Sequence, residues 1–330
     1  MHIYQGVYMQ DGLIHALLLD GQGGAKKLEW QQLQSWKPGD GELWIHLDYS
    51  VFSVKEWLFH GSNLDISVAE TLLSSESRPR FSQFDNGTLM AWRGVNMNPN
   101  ADPEDMIALR LWYEEGRLIT TLRRDLASVE EVSQALMKNK GPTTLAELMV
   151  DLAGRMVWKI GEVVDEFEEH MANLEDQVIE HSSARLRSEL SSLRRQVIAM
   201  RRYLAPQKEA LLRFSLEKLP WMTASERVEL REVVDRITLT LEDLEALRER
   251  AVVGQEELQN RLSEQLNNRM YLLSIITAVF LPLGFLTGLL GINVGGIPGA
   301  DNPQAFRYFI WLVVVLIAIQ LVIFKWRKWF

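Results

Sequence analysis

The 330-residue chain has no cysteine. That excludes a disulfide scaffold, a thiolate metal site and a cysteine nucleophile. Positive charge is in deficit: 35 Lys and Arg stand against 44 Asp and Glu, a formal net charge of -9. Charge of either sign nearly vanishes over residues 270–330, which hold four basic residues and one acidic. The other 269 residues carry 31 basic and 43 acidic, a net of -12. A field of that sign disfavours nucleic acid as a partner and attracts cations. Also missing are Gly-x-x-x-x-Gly-Lys-Ser/Thr, His-Glu-x-x-His and Gly-x-Ser-x-Gly, so neither an enzyme nor a prosthetic group is expected. The first 20 residues lack an uninterrupted apolar core, and no signal peptide is expected there.

What is present is lipid-compatible sequence. Residues 270–290 run without a formal charge, long enough for a helix to cross a hydrocarbon core of about 30 Å. A second apolar run, 308–324, has Gln320 as its one strongly polar member. With Phe306 and a snorkelling Arg307 the second span covers about 306–324. Trp311, Trp326 and Trp329 suit the membrane interface. Two such runs back to back are rare in soluble folds, so buried core helices are the lesser reading. The loop between them, 295–305, holds Asp301 and no basic residue. Arg261 and Arg269 precede the first span; Lys325, Arg327 and Lys328 follow the second. The positive-inside rule then puts both ends in the cytoplasm and the loop outside.

Three regions follow: 1–140, a cytoplasmic α+β domain; 141–269, a cytoplasmic helical hairpin and stalk; and 270–330, a transmembrane domain. In the first, Leu43-Trp44-Ile45-His46-Leu47-Asp48 reads as a strand, and 106–113 with 118–123 as a hairpin about Glu114-Glu115-Gly116-Arg117. Residues 13–19 form another strand, closed by Asp20-Gly21-Gln22-Gly23-Gly24. No Lys-Ser/Thr follows that cluster, so a turn is preferred to a phosphate loop. Short helices fit 54–60, 66–74 and 126–138. After Gly141-Pro142 the chain is helical: from a capping box at Thr144 and Glu147 to about 181, then to about 204, with Pro206 and Pro220 breaking or kinking the path. A second capping box, Thr223 with Glu226, opens one long helix over 223–290. Its seam is Leu230, Val234, Ile237, Leu241 and Leu244. A stalk of that length needs neighbours, which implies an oligomer.

Two sets of polar residues are candidates for cation handling. Residues 162–180 hold eight carboxylates and no Lys or Arg, whereas 185–208 are rich in Arg. Two arms attracting each other is one reading; a divalent-cation site at Glu162, Glu166 and His170, spaced i, i+4 and i+8, is the sharper one. In the first span, Asn267, Met270, Ser274, Thr277, Leu281, Gly284, Gly288 and Gly291 share one helix face. Small residues there serve either a close helix–helix contact or a pore lining, and the two are compatible. Two spans enclose no lumen, so a pore needs several copies. Asn293 offers either a helix cap or an amide oxygen to a cation ring.

The stretch Phe280-Leu-Pro-Leu-Gly-Phe-Leu-Thr-Gly-Leu-Leu-Gly-Ile-Asn293 resembles the end of the first membrane helix of the CorA superfamily of divalent-cation transporters. Gly291-Ile292-Asn293 stands where that family carries Gly-Met-Asn. The altered middle residue, Val294-Gly-Gly-Ile-Pro-Gly299, Met200-Arg-Arg-Tyr-Leu-Ala-Pro-Gln207 and Leu219-Pro-Trp-Met222 are similar to the ZntB-type zinc branch. The resemblance implies a cytoplasmic α/β/α domain, a long stalk helix and two C-terminal spans in a homopentameric funnel. It implies a bacterial inner (plasma) membrane and Zn²⁺ as the transported ion, taken up together with protons. By the same resemblance Asn293 forms the outer filter with Gly291 and Ile292, while Asn267, Thr277 and Gly284 line the pore. Asp301 is an outer-loop candidate. A Thr is frequent in the family where Gly284 stands, so a hydroxyl ring is absent here. The filter offers oxygen rather than the N and S ligands of a dry zinc site, so residue chemistry alone does not select zinc. A CorA-like Mg²⁺/Co²⁺ channel is the alternative within the class. A membrane-anchored signalling receptor is the alternative outside it, although the outer loop is too short for a sensor domain.

Overall fold

The computed structural model describes residues 12–75, 78–180, 183–292, 299 and 302–326. By internal contacts the chain divides into two compact units, 1–256 and 257–330.

In the first unit, β1 (Leu13–Leu19), β2 (Ala25–Lys27), β3 (Leu43–Asp48), β4 (Arg80–Phe84), β5 (Gly87–Gly94), β6 (Ile107–Glu114) and β7 (Arg117–Leu122) form one sheet in the order β2-β1-β3-β7-β6-β5-β4. The pairing is antiparallel except between β3 and β7. β6 and β7 close on Glu115-Gly116, where Gly116 at φ 77° takes the left-handed conformation a side chain resists. The glycine cluster after β1 is the expected turn. Asp20 Oδ1 accepts the amides of Gln22 and Gly24, so donors that could cradle a phosphate are already used.

Helices cover both faces of the sheet. Leu43, Ile45, Leu47, Leu89, Trp112 and Ile119 pack against α1 (Trp30–Ser35), α2 (Phe52–His60) and α3 (Ile66–Leu73). Behind the other face lie α4 (Ala127–Met137), α5 (Leu145–Glu180) and α6 (Ala184–Leu216). Trp92 meets Phe214 at 6.1 Å between ring centroids, and Gly94 sits under Leu126 and Met156. The result is the expected α/β/α sandwich. Gly141-Pro142 marks a change of element type rather than a gap in packing. On this second face His15 and His46 stack at 5.0 Å, both buried. Burial, joined by Lys27, drops the His15 pKa to about 3; burial, joined by His15, holds His46 well below its ordinary value.

α6 continues through Pro206 to Leu216, beyond the expected end near 204. The proline forfeits one helical hydrogen bond. Leu204, Ala210, Leu211 and Phe214 are buried on either side of it, and Gln207 Oε1 accepts the Arg93 amide at 2.6 Å. This packing outweighs the local penalty. Pro220 does fall between helices, before α7 (Ala224–Leu290).

The Thr223–Glu226 box forms as expected: the Thr223 amide donates to Glu226 at 2.6 Å and the Glu226 amide to Thr223 Oγ1 at 3.3 Å. At the start of α5, Glu147 reaches back one residue further, to Thr143. Within the first unit α7 buries Leu230, Val234, Ile237, Thr240, Leu244, Leu247 and Ala251. The seam thus passes through Thr240, while Leu241 is only half-buried.

The arms do not pair in the expected way. Among the described ion pairs, the acidic stretch of α5 reaches α7, Glu175 taking Arg250 through two bonds of 3.0 and 2.6 Å. The basic stretch of α6 also reaches α7, through Arg201 to Glu245 at 2.9 Å. α7 carries both signs and serves both neighbours.

Candidate cation pathway

Apolar length alone gives two candidate spans, the C-terminal part of α7 and α8 (Ala305–Trp326). Their most apolar windows are 0% and 6% buried, unlike helices of a soluble core. Exposed apolar side chains such as Leu272, Phe280, Phe285, Val322 and Ile323 would be costly in water and cost little in lipid.

Within this second unit the two helices meet along one stripe each. On α7 the half-covered residues are Ile275, Ala278, Val279, Pro282, Leu283 and Leu286; on α8 they are Phe309, Val313, Leu316, Ile317 and Gln320, with Phe324 buried. Asn267, Met270, Ser274, Thr277, Leu281, Gly284, Gly288 and Gly291 are all exposed. At about 100° per residue, their centre lies roughly 150° around the helix from the covered face. α8 therefore packs opposite the small and polar stripe. A Cβ added at Gly284 or Gly288 would meet nothing within 4 Å.

The stripe is neutral. Ser274 Oγ donates to the Met270 carbonyl and Thr277 Oγ1 to the Leu273 carbonyl, each at 2.8 Å. These bonds use the hydroxyl protons and leave oxygen lone pairs free to accept. With the Asn267 amide they form a track of oxygen acceptors suited to a hydrated divalent ion. From Asn267 to Gly291 the track rises about 36 Å, comparable to a bilayer core.

Pro282 supplies a feature the sequence reading did not connect. It has no N–H to give the Ala278 carbonyl. Gln320 Nε2 of α8 reaches that carbonyl at 3.4 Å. The signal was available: a mid-span proline on one helix and a lone amide on the other.

Gly291 and Ile292 are exposed and end the described part of the motif. Asn293 and Asp301, expected at the outer filter and loop, lie outside the described residues, as do Arg327, Lys328 and Trp329. Glu162, Glu166 and His170 are exposed along α5, and Glu162 accepts Trp158 Nε1 at 3.2 Å. The first and last of these residues are separated by about 12 Å of helix rise, so one ion cannot take all three. Among the described residues no group of three or more His, Asp or Glu is placed to hold a metal, which corrects that expectation.

The family profile described as "CorA-like Mg2+ transporter protein" matches residues 39–328. The "Zinc transport protein ZntB" of Pectobacterium atrosepticum is 36% identical over 331 residues, covering 100% of both chains. The "Divalent cation transporter CmaX" of Pseudomonas aeruginosa is 36% identical over 319 residues, 96% of this chain and 94% of that one. The solved structure of a full-length CmaX protein superposes with a TM-score of 0.84 at 34% identity, covering 96% of this chain and 98% of the other.

Proposed function

The chain belongs to the family of CorA-like Mg²⁺ transporter proteins, and from that membership we propose that it carries Zn²⁺ across a bacterial inner membrane, inward and together with protons. In this reading five copies assemble with α7 innermost and both termini in the cytoplasm. The observation that carries it is the exposed oxygen-and-glycine stripe of α7, opposite the face that α8 covers. A face of that kind is satisfied by water and ions in a lumen and by the same helix of neighbouring copies.

Gly284 leaves space for retained water, Thr277 offers its hydroxyl oxygen, and Asn267 passes the ion on at the cytoplasmic end of the track. Asn293 forms the outer ring, its backbone path set by Gly291 and Ile292, and Asp301 adds negative charge beyond it. Neutral oxygens hold a divalent ion weakly enough to release it. The described stripe contains no titratable side chain, so protons use water there. Zinc in particular rests on the identity to the ZntB relative.

The test is Zn²⁺ uptake by protein-loaded liposomes, with Asn293→Leu alongside. Replacing an amide oxygen in every copy should cut flux at least about tenfold, since about 1 kcal/mol per contact sums over the ring. The particle should remain assembled by native mass spectrometry. Unchanged flux in Asn293→Leu would remove the filter assignment. Flux of Mg²⁺ without Zn²⁺ in the unmutated protein would favour the magnesium reading suggested by the family description.

A further inference from the structure

Away from the membrane, the sheet contains a charge that no described partner neutralises. Arg110, in the middle of β6, is 0% exposed, and its Nε, Nη1 and Nη2 atoms have no hydrogen-bond partner among the described residues. Its guanidinium lies 4.7 Å from the centroid of the Tyr49 ring. A cation–π contact of this kind offsets only part of what is lost on burying an unpaired ion. Burial accordingly pulls the Arg110 pKa below its ordinary value, with Tyr49 opposing.

Arg110 borders a cavity of about 420 Å³ whose charged lining, among the described residues, is wholly basic. Arg93, Arg110, Arg123 and Arg124 line it together with Tyr49 and Ser75, and no described carboxylate does. β-Sheet register explains the convergence. Ala91 pairs with Arg110 and Arg93 with Ala108, so both arginines rise from one face, and Arg123 and Arg124 follow directly at the end of β7. Arg93 is anchored by Nη1 to the Met106 carbonyl at 2.7 Å, and Arg124 is paired with Asp105 at 2.5 Å. Arg110 has no comparable anchor among the described residues. In a chain of net charge -9, four arginines about one small cavity are a local inversion of the overall field.

We propose that this cavity binds a phosphate-bearing small molecule, with the Arg110 guanidinium forked onto the phosphate and Arg123 closing over it. A dianion matches the multiple positive charges better than a single carboxylate, and its oxygens can accept from several arginines at once. The Ser75 and Tyr49 hydroxyls add donors. The volume exceeds what a bare phosphate fills and falls in the range of small-molecule sites, so the ligand is a phosphate ester.

The test uses the purified full-length chain in detergent, with EDTA present and low chloride, titrated calorimetrically with AMP, inorganic phosphate and citrate. AMP should bind saturably, inorganic phosphate more weakly, and citrate at least about tenfold more weakly than AMP. Arg110→Met should weaken AMP by about 10- to 100-fold, the range expected for losing a charge-assisted bond. The ligand-free variant should melt no lower than the parent, because the unpaired buried charge is gone. Should that variant fail to fold, exposed Arg123→Ala carries the test, with AMP weakened about tenfold. No saturable AMP binding at millimolar concentration, unchanged affinity in Arg123→Ala, or citrate binding as tightly as AMP would each overturn the proposal.

Discussion

α7 is one helix with two different surfaces. In residues 224–256 its periodic face is filled: Leu230, Ile237, Leu244 and Ala251 are fully buried within the chain. In residues 267–291 the stripe at the same three- and four-residue spacing is exposed throughout. The first face is mostly Leu, Ile and Val, with Thr240 and Ala251 among them; the second is Asn, Ser, Thr and Gly with only Met270 and Leu281 between. Large apolar groups gain by burial against any apolar neighbour in water. Small and hydroxylated groups gain nothing comparable in lipid and are useful where helices of separate copies approach or water enters. Periodicity reports that a face exists; the size and polarity of its residues report what kind of neighbour it takes.

The largest expected effect lies on the filled face. Leu244→Ala should cost about 2–5 kcal/mol of unfolding free energy, from lost burial and the cavity left behind. Thr277→Ala on the open stripe should cost under about 0.5 kcal/mol, as expected for a surface position, yet alter Zn²⁺ flux. Chemical denaturation of both variants beside liposome uptake makes the comparison. Equal losses of stability would mean that the two faces are not different in kind.

Acid should separate the regions next. His15 and His46 belong to the sheet, whereas the described spans contain no histidine. Both native imidazoles take up a proton less readily than in the unfolded chain, whose histidines titrate near 6.5. Below that pH the unfolded state binds more protons, so stability is full above about pH 6.5 and declines as pH falls toward 3. The slope approaches about 1.4 kcal/mol per pH unit for each histidine. Replacing His15 with Leu should make denaturation midpoints flatter between pH 6.5 and 5. An unchanged slope would show that the stacked pair is not the acid-sensitive element.

The smallest effect concerns the helix pair. Gln320→Leu strands the Ala278 carbonyl that Pro282 cannot serve, and should lower the melting stability of the detergent particle by about 1 kcal/mol. A loss matching that of Leu244→Ala would place a second, larger role on Gln320.

Much of this architecture could be read directly. β1, β3 and the β6–β7 hairpin were legible because alternation and a glycine turn are local. β5 was missed because it is buried on nearly every residue, and so shows no alternation. β2, β4 and α1 are only 3, 5 and 6 residues long, too short for a periodic signal. The small and polar stripe of α7 was visible residue by residue, while Asn293 stands outside the described residues.

The sequence by itself determined the two apolar spans, the unbroken run of α7 and the chemical character of its stripe. Each depends on the length or period of a contiguous segment, which neighbours in the chain suffice to specify. Only the tertiary structure decided that α8 covers the face opposite the stripe, and that Gln320 meets the carbonyl left by a proline 38 positions earlier. It also directed Glu175 of the acidic arm and Arg201 of the basic arm to α7, carried α6 through Pro206, and gathered Arg93 of β5, Arg110 of β6 and the Arg123-Arg124 pair after β7 around one cavity. These are juxtapositions of distant segments, and no local period encodes them.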